Sequence, residues 1–123
     1  MGDEPPVQDF ERFLPTLTGI RAMLIKNGRS AQADVVNHLI RLAHERSPVF
    51  ASKMVESDFW GGSGSVVDVN FSLEDAPTLE AAVRENFEFH RLIIQLADEM
   101  VRQGMRGKGF EWVAAAFRRH LQE

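Results

Sequence analysis

Ala76-Pro77-Thr78-Leu79-Glu80-Ala81-Ala82-Val83-Arg84-Glu85-Asn86-Phe87-Glu88-Phe89-His90-Arg91-Leu92-Ile93-Ile94-Gln95-Leu96-Ala97-Asp98-Glu99-Met100-Val101-Arg102-Gln103 is the stretch on which the fold turns. Leu79, Val83, Phe87, His90, Ile94, Ala97 and Val101 recur three or four residues apart, and Ala82, Ile93 and Met100 thicken that stripe. The period is helical, because residues at this spacing share one face. Ala76-Pro77-Thr78 opens the helix and Gly104 closes it. Glu80–Arg84, Arg84–Glu88 and Asp98–Arg102 are i,i+4 pairs on its polar surface. A helix of about 26 residues is roughly 39 Å long. That exceeds a compact domain of this size, so one end is expected to project or to pack on a second subunit.

Working outward, the segments on both sides are helical too. Phe10, Phe13, Leu14, Leu17, Ile20 and Leu24 mark one face between Val7 and Lys26, with Pro15 inside it. An interior proline removes a hydrogen bond, so the helix is expected to kink or to start close to Pro15. Asn27-Gly28 ends it. Ser30 reads as the N-cap of a second, central helix with Ala33, Val36, Leu39, Ile40 and Ala43 inward, widened by Val35 and Leu42. A third, shorter helix follows Ser47-Pro48 to about Ser57, and a last one runs from about Phe110 to Leu121 after a flexible break at residues 104–109. The sequence therefore predicts an all-α single domain over residues 1–123, of four to five helices, with residues 1–6 as a disordered lead. Val67, Val69 and Phe71 alternate within 66–71 and allow one short extended segment, which either pairs with a second subunit or serves as a connector.

Composition narrows the classes of function. The 123 residues are 44% hydrophobic and 26% charged, ordinary for a globular chain. With no cysteine, disulfides and thiolate metal sites are excluded. The acidic start Met1-Gly2-Asp3-Glu4-Pro5-Pro6 is unlike a secretion signal, and no apolar run approaches the roughly 18 residues that span a bilayer. A cytoplasmic protein with no membrane association is expected. The net charge of −4 argues against general nucleic-acid binding. It is unevenly spread, since residues 54–100 hold ten acids against only Arg84 and Arg91 while basic segments flank them. Such asymmetry either reflects solvated helix faces or guides association.

The one sharp interruption is Trp60-Gly61-Gly62-Ser63-Gly64-Ser65-Val66-Val67-Asp68. Its backbone amides and hydroxyls could cradle an anion, as phosphate loops do. It nevertheless lacks the Gly-Lys-Ser/Thr ending of a Walker loop, the preceding strand of a dinucleotide fingerprint and the last glycine of a nucleophile elbow. The plainer reading is a tight reversal, close to another backbone, with Asp68 accepting from loop amides. A ligand site here would use Gly61, Gly62, Ser63, Gly64, Ser65 and Asp68, with His90 nearby. His38, His44, His90 and His120 have no metal-ligand partner one turn away, so no metal and no cofactor is expected. The pairs Glu74-Asp75 and Asp98-Glu99 read as helix-end and surface charge, and no catalytic residue is assigned. Phe59 and Trp60 are the most partner-like hydrophobics, and Trp112 raises the same question.

The loop resembles the Gly-Gly-Met-Gly-Ser-Leu/Phe-Asn/Ser-Asp signature of a small bacterial family of unknown function, in which helical segments precede the signature. Gly61, Gly62, Gly64, Ser65 and Asp68 match it, whereas Ser63 replaces the methionine and Val67 the polar residue. The resemblance implies a bacterial protein and no activity. The function expected from the sequence is a non-enzymatic protein-interaction module acting as a homodimer or with another protein. The alternatives are a small-ligand or anion binder or enzyme using the Gly61–Asp68 loop, and an accessory or immunity-type regulator of another protein.

Overall fold

The computed structural model describes residues 9–72 and 76–122. The expected lead at 1–6 and the Glu74-Asp75 pair lie outside them. Among the described residues all regular structure is helical, as the periodicity predicts. A 3-10 turn at Phe10–Phe13 leads into α1 (Leu14–Lys26), followed by α2 (Ser30–His44), the short α3 (Phe50–Met54) and α4 (Ser57–Trp60), a second 3-10 turn at Val66–Asp68, then α5 (Leu79–Arg102) and α6 (Lys108–Leu121). The expected third helix is thus two short pieces, and α6 begins two residues earlier than its apolar pattern suggests.

Local chemistry accounts for the boundaries. Pro15 sits in the first turn of α1, where its missing N–H has no partner to lose, so the helix starts there rather than kinking. Gly28, at φ +73°, ends α1: its N–H reaches the Ile25 carbonyl and the Arg29 N–H reaches the Leu24 carbonyl. That paired pattern satisfies carbonyls the helix leaves open, at a backbone angle glycine adopts freely. Gly104, at φ +90°, ends α5 in the same way, through Val101 and Met100. Ser30 is not the N-cap of α2; Arg29 holds that position and Ser30 is the first helical residue. Thr78 caps α5, its Oγ1 accepting from the Ala81 N–H at 3.0 Å.

Phe13 of the first 3-10 turn and Leu17, Ile20 and Leu24 of α1 are completely buried, and α2 buries Ala33, Val36, Leu39, Ile40, Leu42 and Ala43, so α2 is central as expected. α5 lies across α1 where Gly19 lets Leu92 approach; a Cβ built on Gly19 would stand 3.5 Å from the Leu92 side chain. Phe89, Ile93, Leu96 and Met100 point from α5 into this core, and Phe110, Val113 and Ala114 enter it from α6. The alternation at 66–71 does not become a strand. Val66–Asp68 is one 3-10 turn, and Val69 to Phe71 continues without regular structure. The reason is visible at Phe71, whose N–H donates to Asn86 Oδ1 and whose carbonyl accepts from Asn86 Nδ2, both at 2.8 Å. One side-chain amide takes the two groups that a neighbouring strand would otherwise pair.

Gln103 performs the same service at the other end of α5. Its Oε1 accepts from the Asp9 N–H and its Nε2 donates to the Asp9 carbonyl, both at 3.0 Å. α5 is therefore the spine to which two non-helical segments are tied. Ion pairs tie its acids to the flanking basic segments, Lys26–Glu85 at 2.8 Å and Arg118–Asp98 at 2.6 Å, and Glu99 meets Arg12 at 3.7 Å. Asp98 serves Arg118 rather than the expected Arg102, which instead pairs with Glu99. Part of the charge asymmetry in the sequence is met inside the chain.

Candidate functional site

The glycine loop is a turn in which three backbone amides are engaged, while the buried Ser65 Oγ has no partner among the described residues. Gly62 and Gly64 take φ of +68° and +86°, which side-chain-bearing residues adopt at a cost. Gly61 has an ordinary extended φ, and a Cβ there would stand 3.2 Å from Ser57 Cβ, a tight contact that Ser57 would have to relax. The Gly64 N–H donates to Asp68 Oδ2 at 3.2 Å, the Ser65 N–H to the Gly62 carbonyl at 3.3 Å, and the Gly61 N–H to the Ser57 carbonyl at 2.9 Å. Gln32 Nε2 donates to the Gly64 carbonyl at 3.0 Å and fastens the loop to α2. An anion cradle needs several amides free and convergent on one point, and three of these amides are spent on the loop itself. Ser63 is exposed and Ser65 buried, so their hydroxyls do not share an environment.

Phe59 and Trp60, expected to face a partner, are core residues at 1% and 3% exposure. Trp60 Nε1 donates to the Met54 carbonyl at 2.6 Å, and its ring packs on Phe59 and Phe110. That is the usual solution for a buried indole, whose one donor must find an acceptor. Trp112 is the reverse case, 72% exposed on the outer face of α6.

His90 is not joined to the loop. It stands half-buried in an open groove of about 380 Å³ lined by Asn70, Val83, Asn86, Phe87, His90, His120 and Leu121. Its ring stacks on Phe117, centroids 4.1 Å apart at 27°, with the His120 ring 6.3 Å away. Burial, and then the neighbouring His120, hold its pKa below the usual histidine value. The Gly61–Asp68 residues line neither this groove nor the cavities beside Lys26, Ala97 and Glu11. None of these cavities brings Ser63, Ser65 or Asp68 together with His90. No group of three or more metal-ligating side chains occurs among the described residues. None of the described helices is long and apolar enough to cross a membrane.

What does stand out is the face of α5 beside this groove. Leu79, Val83 and Phe87, which begin the apolar stripe picked out in the sequence, are 68, 62 and 48% exposed. α5 carries two apolar faces. One, through Ala82, Phe89, Ile93, Leu96 and Met100, enters the core. The other runs Leu79, Val83, Phe87, His90, Ile94, Ala97, Val101, about a quarter-turn or more away at 100° per residue. α6 runs antiparallel along this second face, with Phe117 on His90 and Arg118 on Asp98, and its last residues stand level with Phe87 and His90. Beyond that level this second face of α5 is uncovered among the described residues. The signal was present in the sequence, since Phe89, Leu96 and Met100 form a stripe of their own; choosing between the two required knowing where α6 ends.

The site is thus an apolar helix face on an all-α scaffold. No protein-family model matches the chain, and neither a curated protein nor a solved structure matches it.

Proposed function

We propose that this protein is a non-enzymatic protein-interaction module that acts as a homodimer through the N-terminal half of α5. The observation that carries this reading is the exposure of Leu79, Val83 and Phe87 on a face that α6 covers further along. Three adjacent large apolar side chains at i, i+4 and i+8 form a continuous ridge, and such ridges on a monomer surface mark sites of association. The glycine loop then serves the scaffold: Asp68 and Gln32 fix it, and its tight reversal carries the chain from Trp60 in the core to the Phe71 clamp. The setting we propose is the bacterial cytoplasm, on the resemblance of the loop and the acidic, apolar-run-free sequence.

Light scattering on the wild-type chain and on Val83→Asp tests the reading. The wild type is expected to reach the dimer mass at high micromolar concentration. The variant, altered at an exposed position, is expected to stay monomeric with an unchanged melting temperature. A wild type that remains monomeric throughout that range contradicts the proposal.

A further inference from the structure

The bare part of α5 has a definite centre. Its apolar residues are Leu79, Val83 and Phe87, so the midpoint is at the level of Val83. Glu80 and Arg84 lie on one flank of that ridge, one turn apart and opposite in charge, with side chains 87% and 74% exposed. Within the chain they meet only loosely, Arg84 Nη2 standing 4.0 Å from Glu80 Oε1. The midpoint of this pair is at the level of residue 82, one residue, or about 1.5 Å of rise, from the midpoint of the ridge. A surface whose apolar ridge and opposite charges share a midpoint is complementary to itself under a two-fold rotation, which is the condition for an isologous interface.

Direction follows from α6. A parallel copy of α5 would run along the half of the second face where Phe117 already stacks on His90 and Arg118 already meets Asp98. An antiparallel copy runs instead off the N-terminal end of α5, clear of α6. We infer that two copies pair through antiparallel α5 helices about a two-fold axis near residue 82, with Glu80 of each copy against Arg84 of the partner subunit. The inference rests on the docking face proposed above and names what occupies it and in which register. Leu79 and Val83 of the two copies interleave across the axis, and Phe87 closes over the N-terminal turn of the facing helix. On a helix pair of this arrangement, residues on the same flank face one another, which brings each Glu80 to the other copy's Arg84. The overlap is short, about two helical turns, which places the dimer among weak, concentration-dependent ones.

Charge exchange tests the register by sedimentation equilibrium on the full chain. Glu80→Lys sets Lys against Arg84 in both contacts, and Arg84→Glu sets Glu against Glu80. Each variant alone is expected to weaken the dimer roughly tenfold or more, since two contacts change from attraction to repulsion. Mixed in equal amounts, the two variants are expected to pair with each other at close to the wild-type affinity, because both contacts are again opposite in charge. The double exchange Glu80→Lys/Arg84→Glu is expected to restore self-association. Thermal melts followed by circular dichroism show whether each variant is folded, and all are expected to match the wild type. Single variants that dimerise like a dimeric wild type overturn the register while leaving the docking face standing. Weakened single variants that neither the mixture nor the double exchange restores overturn it as well. A wild type that is monomeric at high micromolar concentration overturns the docking face and the register together.

Discussion

The two halves of α5 share one apolar stripe and have different neighbours. In the C-terminal half, Ala97 is buried, His90 is stacked and Asp98 is ion-paired to α6, while Gln103 holds Asp9. In the N-terminal half Ala82 is buried, Asn86 clamps Phe71 and Glu85 pairs with Lys26, while Leu79, Val83 and Phe87 look outward. The comparison teaches that burial on this helix is decided by what lies opposite each turn. Apolar character alone does not decide it. Phe87 and Phe89 are two residues apart, near opposite sides of the helix, at 48% and 0% exposure.

That pair offers the strongest way to break the contrast. Phe89→Ala empties a core position and is expected to cost about 3–5 kcal/mol, read as a shift in the urea midpoint. Phe87→Ala, measured at low micromolar concentration where the monomer dominates, is expected to change stability by less than about 0.5 kcal/mol. Equal costs would mean that the N-terminal half is not bare.

Asn86→Ala gives an intermediate effect. It removes both partners of the Phe71 backbone groups, and losing partly buried hydrogen bonds of this kind costs about 1–3 kcal/mol. Amide exchange at Phe71 is expected to accelerate while the amides of α2 keep their protection.

The smallest effect concerns pH. Because folding holds the His90 pKa below the ordinary histidine value of 6.5, the unfolded chain binds a proton more readily than the folded one as the pH falls through that value. The neutral ring's contribution is therefore complete above 6.5 and lost progressively below it, toward the depressed folded pKa. His90→Phe keeps a ring against Phe117 and has no proton to take up. Its stability is expected to fall less steeply than the wild type's between neutral and mildly acidic pH, and an identical slope would remove His90 from this role.

Much of the scaffold was legible in the sequence because short-range chemistry decides it. Pro15 places the start of α1, Gly28 and Gly104 place two helix ends, and α2 has a single apolar face whose residues are all inside, save the half-buried Val35. The candidate site was less legible, for two physical reasons. A helix with two apolar faces has no unique inward direction from its own pattern, and the crossing with α1 at Gly19–Leu92 settled what periodicity could not. Phe59 and Trp60 sit in a helix of only four residues, Ser57–Trp60, too short to show a period, so nothing local announced that both rings fill the core. At the loop, the expected bond from a loop amide to Asp68 is present at Gly64, because a carboxylate four residues away is a local feature.

Hydrogen–deuterium exchange at two protein concentrations tests the account most directly, because it reports both association and its location. On going from low to high micromolar concentration, amides between Glu80 and Phe87 are expected to gain protection. Those between Ile93 and Arg102, already under α6, are expected to keep the same rates. Exchange that is unchanged along the whole of α5, or a gain in protection confined to another surface such as that around Trp112, would contradict it.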